Sequence, residues 1–251
     1  MLTPERHQLI LALLKEKDVI RIQELVDATG ASESTIRRDL TELEEQHLLK
    51  RVHGGAASLF TKIDEPSVTE KAVKREREKI AIARYAAGLV KEGDSLFIDA
   101  GTTTYQLIPF LPAGRIVVVT NGVDIALQLI KRQIKTILLG GDLKAATLSL
   151  VGREAVRTIG QYRFDKCFLG INGVDKEHGL TTPDPDEAYV KQLAMHYADE
   201  RFILCDSSKF SQVSFAKVGD LQEVQLVTDN GLDEAERQAF AQLTSLQVVN
   251  V

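Results

Sequence analysis

The sequence predicts an α/β protein: an N-terminal winged helix-turn-helix followed by a larger domain built on a mostly parallel sheet. Three observations lead there. Before residue 47, three amphipathic helical stretches are separated only by a short β-branched run and by Gly30-Ala31, a spacing that makes consecutive helices cross steeply. Immediately afterwards, residues 48–55 read as a basic strand running into a glycine turn. From Lys91 onward, short β-branched runs alternate with helical stretches, the pattern of a parallel sheet covered on both faces.

Taken in order, Thr3 is placed to cap a first helix with Pro4 at its first position. Leu9, Ile10, Leu13 and Leu14 form its apolar stripe, and Asp18 ends it before the run at 19–22. Residues 23–29 make a short second helix presenting Leu25 and Val26. Ser32 then caps the third helix, 32–46, in which Ile36, Leu40 and Leu43 share one face. Ser34, Arg38, Thr41 and Glu45 fall on the opposite face, with Arg37 on its flank. Two adjacent arginines beside small hydroxyls suit a helix that meets base edges in a major groove, whereas a merely solvated face would mix acids among them. Lys50, Arg51 and His53 would lie against phosphate as a wing. The candidate DNA-contacting set is therefore Ser32, Ser34, Thr35, Arg37, Arg38, Thr41, Lys50, Arg51 and His53.

The 251 residues carry a formal net charge of −5 and are 44% hydrophobic, enough for a folded core. An acidic total does not exclude DNA binding, which needs only a local positive footprint, with acids such as Glu42 and Glu44 turned elsewhere. No apolar run approaches a membrane span and the first residues lack a signal-peptide pattern, so a cytoplasmic protein without membrane contact is expected. Cys167 and Cys205 sit in apolar runs and read as buried thiols. No zinc spacing is present, and neither metal nor cofactor is expected. One recognition helix reads too few base pairs to select a site, so a homodimer or homotetramer is expected.

Residues 58–67 lack a sustained period and contain Pro66. The predicted organisation is a DNA-binding domain at 1–57, a linker at 58–69, and an effector-binding and oligomerisation domain at 70–251. Residues 69–89 read as one long helix whose first half is a solvated mixed-charge run. Strands follow at 95–99, 116–120, 135–139, 167–171, 202–206, 226–228 and 246–249, with helices at 123–131, 187–199 and 233–243 among them. Ligands of such sheets bind beyond the carboxyl ends of the strands. There the sequence places Asp99, Gly101, Thr102, Thr103 and Thr104, then Thr120 and Asn121, then Gly141, Asn172 and Lys209. Three hydroxyls at a helix start and the point charge of Lys209 suggest a phosphate cradle. Asp184, Pro185 and Glu187 read as a capping box, with Glu187 and Lys191 as further effector-binding candidates.

Several of these motifs together resemble a known family. Arg6, Ile10 and Leu14, then Ser32-x-x-Thr35-Ile36-Arg37-Arg38-Asp39-Leu40, then His53-Gly54-Gly55-Ala56, resemble the DNA-binding domain of DeoR-type bacterial transcriptional regulators. Within that family residues 1–56 look closest to fructose operon repressors. His47 departs from the pattern, standing where relatives usually carry glycine. Residues 99–104, Gly170-Ile171-Asn172-Gly173, Thr181-Thr182-Pro183-Asp184-Pro185 and Asp206-Ser207-Ser208-Lys209 are similar to the family's effector domain, which is similar in fold to ribose-5-phosphate isomerase. The resemblance implies a repressor of a sugar-utilisation operon, released from operator DNA by a phosphorylated sugar. Fructose 1-phosphate comes first, with tagatose 6-phosphate or glycerol 3-phosphate as alternatives. A fused sugar-phosphate isomerase is the competing reading, and it needs a carboxylate placed to move a proton. The acid-rich loop of those enzymes is replaced here by residues 170–173, leaving Asp99, Asp175 or Glu187 to serve, so a non-enzyme is expected.

Overall fold

The computed structural model describes residues 1–17, 19–46, 48–52, 54–57, 65–112 and 114–251, without the side chains of Lys15 and Glu16. Asp18, His47, His53 and most of the expected linker, 58–64, lie outside the described residues. The chain divides into two compact units, Met1–Asp64 and Glu65–Val251.

The first unit contains α1 (Thr3–Lys17), β1 (Val19–Arg21), α2 (Ile22–Thr29), α3 (Glu33–Glu45), β2 (Lys50–Val52) and β3 (Gly55–Ala57). β3 lies between β1 and β2 and is antiparallel to both. A Cβ on residue 55 would come within 2.0 Å of the Ile20 carbonyl oxygen, so β1 closes on the wing only because Gly55 has none. The apolar stripes meet as predicted: Ile10 and Leu14 of α1 pack with Leu25, Ile36, Leu40 and Leu43. Ser32 caps α3, its Oγ accepting from the Thr35 N–H at 3.3 Å. Thr3, expected outside α1, is its first residue, and its Oγ1 instead receives Arg6 Nη2 at 3.4 Å.

One buried ion pair holds α1 to α3. Arg6 Nε and Nη2 donate to Asp39 Oδ2 and Oδ1 at 2.5 and 2.9 Å, and Asp39 is fully buried. Burial alone would raise the Asp39 carboxyl, but hydrogen bonds from Arg6 and His7 outweigh it and hold the group below its ordinary value.

The second unit contains α4 (Val68–Ala72), α5 (Glu76–Ala87), β4 (Ser95–Ile98), α6 (Thr102–Tyr105), β5 (Val117–Thr120), α7 (Val123–Lys131), β6 (Lys135–Leu138), β7 (Asp142–Lys144), β8 (Ser149–Val151), α8 (Arg153–Ile159), β9 (Phe164–Gly170), β10 (Gly173–Asp175), β11 (Gly179–Thr182), α9 (Pro185–His196), β12 (Ala198–Leu204), β13 (Ala216–Gly219), β14 (Gln225–Asp229), α10 (Glu234–Ala241) and β15 (Ser245–Val249). The main sheet has seven strands in the order β15-β14-β12-β9-β4-β5-β6, every neighbouring pair parallel. Alternating residues serve the two faces. Leu96, Ile98, Val118 and Phe168 pack with Ile82 and Ala86 of α5, while Phe97, Val119, Cys167 and Leu169 face Ala155 of α8 and Ala194 of α9. Burial pushes the Cys167 thiol up to about 12 and raises Cys205 as well, so both are inert core groups.

The antiparallel sheet β10-β11-β13 and the β7–β8 hairpin are additions that the sequence pattern did not reveal. The helix expected over 69–89 is instead two helices. Ser67 and Glu70 form a capping box that starts α4, and Arg75, at φ 50°, interrupts the chain before α5. The break lets α4 lie against α6 and brings the Val68 N–H to the Ala146 carbonyl at 2.8 Å. A straight helix could not make both contacts.

Removing one member of the buried pair leaves the other charge unmatched. Asp39→Ala is expected to cost about 3 kcal/mol and to lower the melting transition of the first unit by roughly 10 °C or more, leaving that of the second in place. Because the Asp39 pKa is depressed, the pair's contribution is present above the unfolded carboxylate value and is lost as pH falls through the folded one. The parent's excess stability over Asp39→Ala should therefore shrink below pH 4 or so, a difference thermal scans at pH 7 and pH 3 will read.

Candidate functional site

Two polar surfaces stand out, one in each unit. In the first, Ser34, Arg37 and Arg38 are exposed along α3 and Thr35 and Thr41 are half-buried beside them. The Ser32 hydroxyl is engaged by those of Ser34 and Thr35, at 2.9 and 2.8 Å, as well as by the cap. Arg37 donates twice to Glu33 Oε1, at 3.0 and 2.5 Å, and Arg38 Nε lies 3.6 Å from Glu42 Oε1. Glu42 and Glu44 are thus not turned away as expected. Four-residue spacing on a helix brings long acids and bases together even from neighbouring faces. Exposed pairs of this kind hold weakly, so a phosphate or a guanine edge can displace the acid. Arg51 ties the wing to α3: its N–H donates to Glu44 Oε1 at 2.8 Å and its Nη1 to Thr41 Oγ1 at 3.0 Å. Lys50 is exposed. His7, Asp39 and Glu42 also bring ligand-type atoms within 4.8 Å of one another, but Arg6 already neutralises Asp39.

The second surface lies at the carboxyl edge of the main sheet, shared by all seven strands because they run parallel. At its centre Asp99 follows β4, only 1% exposed. Its Oδ2 accepts from Lys191 of α9 and from the Gly170 N–H at 3.2 Å. One turn earlier on α9, Glu187 Oε1 accepts from Thr147 Oγ1 at 2.7 Å and Ser149 Oγ at 2.9 Å, and Lys144 Nζ lies 3.2 Å away. Asp184 caps α9 as predicted, receiving the Glu187 N–H at 2.9 Å. The other half of the expected capping box is absent, because the Glu187 side chain points inward to these hydroxyls instead.

Burial would lower Lys191, but Asp99 and Glu187 outweigh it and hold the ammonium above its ordinary value. Burial pushes the Asp99 carboxyl up against the pull of Lys191. For Glu187 burial also acts upward, yet Lys191, Lys144 and the two hydroxyls hold it below the usual carboxylate range.

Several predicted effector residues are committed to the fold. Thr104 Oγ1 donates to the carbonyls of Asp99 and Gly101 at 2.7 and 2.9 Å and is fully buried. Thr120 Oγ1 receives the Gly122 N–H at 3.0 Å, and Asn121 Oδ1 receives the Ala100 N–H at 2.8 Å, fastening β5 to the loop after β4. Asn172 Oδ1 accepts from Thr182 at 2.9 Å. Gly141, at φ 124°, lets the chain pass where a Cβ would come 2.2 Å from the Val151 carbonyl oxygen. At Gly101 a Cβ would come 3.0 Å from Thr104 Oγ1. Thr102 is half-buried and Thr103 buried. Lys209, after β12, is half-buried and forms no ion pair among the described residues.

Beside Lys209 stand groups that sequence reasoning missed. Lys79 of α5 is 4% exposed and donates to the Lys71 carbonyl. Desolvation lowers its pKa to about 8, opposed by Asp206 and deepened by Lys209, Lys71 and Lys74. Arg75 Nε lies 3.6 Å from Asp206 Oδ1. Asp229 receives the N–H and Oγ of Ser207, at 2.6 and 2.9 Å, and so fixes the loop that carries Lys209. A lysine three residues before Ile82, on the stripe of Ile82, Ala83 and Ala86, was the readable sign of Lys79. The mixed charge around it concealed that sign. Lys79 and Lys209 thus stand at one end of the edge, beside the buried carboxylates of Asp206 and Asp229, and Asp99 and Glu187 at the other, beside Lys191 and Lys144.

Lys191→Met would leave two buried carboxylates without their shared cation. The expected loss is about 3–5 kcal/mol at pH 7, becoming smaller toward pH 5 as the unpaired carboxyls take up protons. Urea unfolding at the two pH values checks both the size and the direction.

Comparison with known proteins covers both units. Residues 6–62 match the model of the DeoR-like helix-turn-helix domain, and residues 74–230 match that of the DeoR C terminal sensor domain. The chain is 48% identical to the "Uncharacterized HTH-type transcriptional regulator FruR" of Bacillus subtilis over 252 residues, covering 100% of this chain and 99% of that one. It is 35% identical to a lactose phosphotransferase system repressor of Staphylococcus epidermidis, over 91% of this chain and 93% of that one. Among solved structures it is similar to ribose 5-phosphate isomerase A of Methanocaldococcus jannaschii, at 19% identity and a TM-score of 0.41 over 55% of each chain. With a capped α3 and basic wing in one unit, a polar strand-end site in the other, and both matched along nearly their whole length, the chain belongs to the DeoR family of helix-turn-helix transcriptional regulators.

Proposed function

We propose that the protein is a repressor of a sugar-utilisation operon whose C-terminal unit binds a phosphorylated sugar and thereby weakens operator binding. The observation that carries this reading is the charged site at the carboxyl edge of the sheet, with Lys79 and Lys209 at one end and Asp99 and Glu187 at the other. A phosphorylated polyol has one dianionic end and several hydroxyls, which suits the buried Lys79 and half-buried Lys209 at one end and carboxylates at the other. Lys79 and Lys209, with Thr102 and Thr103, are the groups proposed to hold the phosphate. Asp99, Glu187 and Lys191 would meet or shape the hydroxyl-bearing part. Fructose 1-phosphate is the first effector to test, in line with the resemblance of residues 1–56 to fructose operon repressors.

Catalysis is not proposed. The acid-rich loop of sugar-phosphate isomerases is replaced here by Gly170-Ile171-Asn172-Gly173, and Asp99, Glu187 and Asp175 are each bonded to groups of the protein itself: Asp99 to Lys191, Glu187 to Thr147 and Ser149, and Asp175 to His178 at 2.8 Å. The chain would act as a homodimer or homotetramer, since a single α3 reads too few base pairs.

On DNA, replacing Arg37 or Arg38 by alanine should cost roughly 1–3 kcal/mol and relax preference at one base pair. Lys50→Ala should weaken all sequences alike and flatten the salt dependence. Operator affinity unchanged in the Arg37/Arg38 double alanine would remove α3 from the interface.

The effector reading has its own signature in pH. Lys79 is half-neutral near pH 8, and a bound phosphate favours its charged form. Sugar-phosphate binding should then take up a proton, and affinity should fall as pH rises above about 8, by at most tenfold per unit. Calorimetry in buffers of different ionisation enthalpy measures that uptake. A pH-independent affinity between 7 and 9.5 would take Lys79 out of the phosphate site.

A further inference from the structure

The chain entering the C-terminal unit passes over the carboxyl edge of the sheet before it forms α5. The Val68 N–H reaches the carbonyl of Ala146, in the turn between β7 and β8, and α4 lies against α6. Glu65 sits at the start of this crossing, its side chain only 10% exposed. Its Oε1 takes Lys71 Nζ at 2.9 Å. Its Oε2 is wholly buried and has no hydrogen-bond partner among the described residues. Ala146 directly precedes Thr147, whose Oγ1 donates to Glu187, so the crossing that starts at Glu65 runs beside the Asp99 and Glu187 end of the site. The Glu65 charge also favours the Lys191 ammonium.

A part-buried ion pair with Lys71 accounts for Oε1 and leaves Oε2 unexplained. Buried polar atoms in folded proteins nearly always have a partner, so one without a donor marks a place where something else supplies it. A carboxylate accepts only, and the donors it suits are hydroxyls. It would repel a phosphate, which belongs at the lysine end.

We propose that Glu65 is an effector ligand, its Oε2, unpartnered among the described residues, accepting a hydrogen bond from a hydroxyl of the bound sugar phosphate. This assignment rests on the sensor function proposed above and adds a residue to it. Glu65 is the first residue of the C-terminal unit, directly after the segment leading from the DNA-binding unit. An effector that bonds there holds the connecting chain itself. It can then favour one arrangement of that chain over another, which is what a ligand must do to shift an equilibrium.

The test uses the full-length protein and two variants, Glu65→Gln and Glu65→Met. Titration calorimetry is run with fructose 1-phosphate, tagatose 6-phosphate, glycerol 3-phosphate and inorganic phosphate. Glutamine keeps an oxygen for Lys71 but loses the charged acceptor. Whichever sugar phosphate binds the parent should bind Glu65→Gln about tenfold more weakly, and Glu65→Met up to about a hundredfold more weakly. Inorganic phosphate, which probes the lysine end alone, should bind all three proteins alike. Sugar-phosphate affinity at the parent's level in both variants overturns the assignment of Glu65 and leaves the sensor function standing. A parallel loss of inorganic phosphate binding also overturns it, since Glu65 would then be supporting the whole site. If no sugar phosphate binds the parent, the sensor function and this assignment fall together.

Discussion

A single buried ammonium organises the carboxyl edge of the C-terminal sheet. Lys191 is shared between Asp99, at the end of β4, and Glu187, one turn away on its own helix. Neither carboxylate tolerates burial without a cation nearby, and a buried cation is stable only among such acceptors. Their mutual need fixes α9 against the loops after β4 and β9, and Glu187 in turn draws in Thr147, Ser149 and Lys144 from the hairpin region. Elements far apart in sequence are thereby held around one polar surface.

The same economy of charge appears in reverse in the N-terminal unit. A buried ion pair between Arg6 and Asp39 fastens α1 to the inner side of α3. The arginines on its outer side are held only by exposed acids four residues away. The buried pair is thus a strong interaction and the exposed pairs weak, replaceable ones. A protein of net charge −5 can present basic side chains locally under these terms, because the acids next to α3's arginines hold them only weakly.

Much of the architecture was legible before any coordinates. Periodicity located α3 and its Ser32 cap, the glycine turn of the wing, and the positions of all seven main-sheet strands to within a few residues. These features depend on neighbours close in sequence: a capping hydroxyl three residues from its N–H, apolar residues at helical spacing, β-branched runs bounded by glycine. Legibility failed where a local pattern served two ends. The run from Glu70 to Lys79 reads as a solvated helix, yet Arg75 breaks it and Lys79 turns inward. Residues 184–187 read as a capping box, yet only Asp184 caps.

By itself, then, the sequence determined the element order, the parallel α/β class, the winged helix-turn-helix and the polar strand ends gathered at one edge of the sheet. Each of these follows from short-range sterics, hydrogen bonding and the burial of periodic apolar faces. Only the tertiary structure decided which polar groups at that edge are spent on the fold and which remain to act. Thr104, Thr120 and Asn121 are consumed by backbone groups brought near by chain closure, whereas Lys79, Lys191 and Glu65 acquire their character from burial beside residues distant in sequence. Desolvation and charge pairing act through space, and one-dimensional order carries no record of the distances that set them.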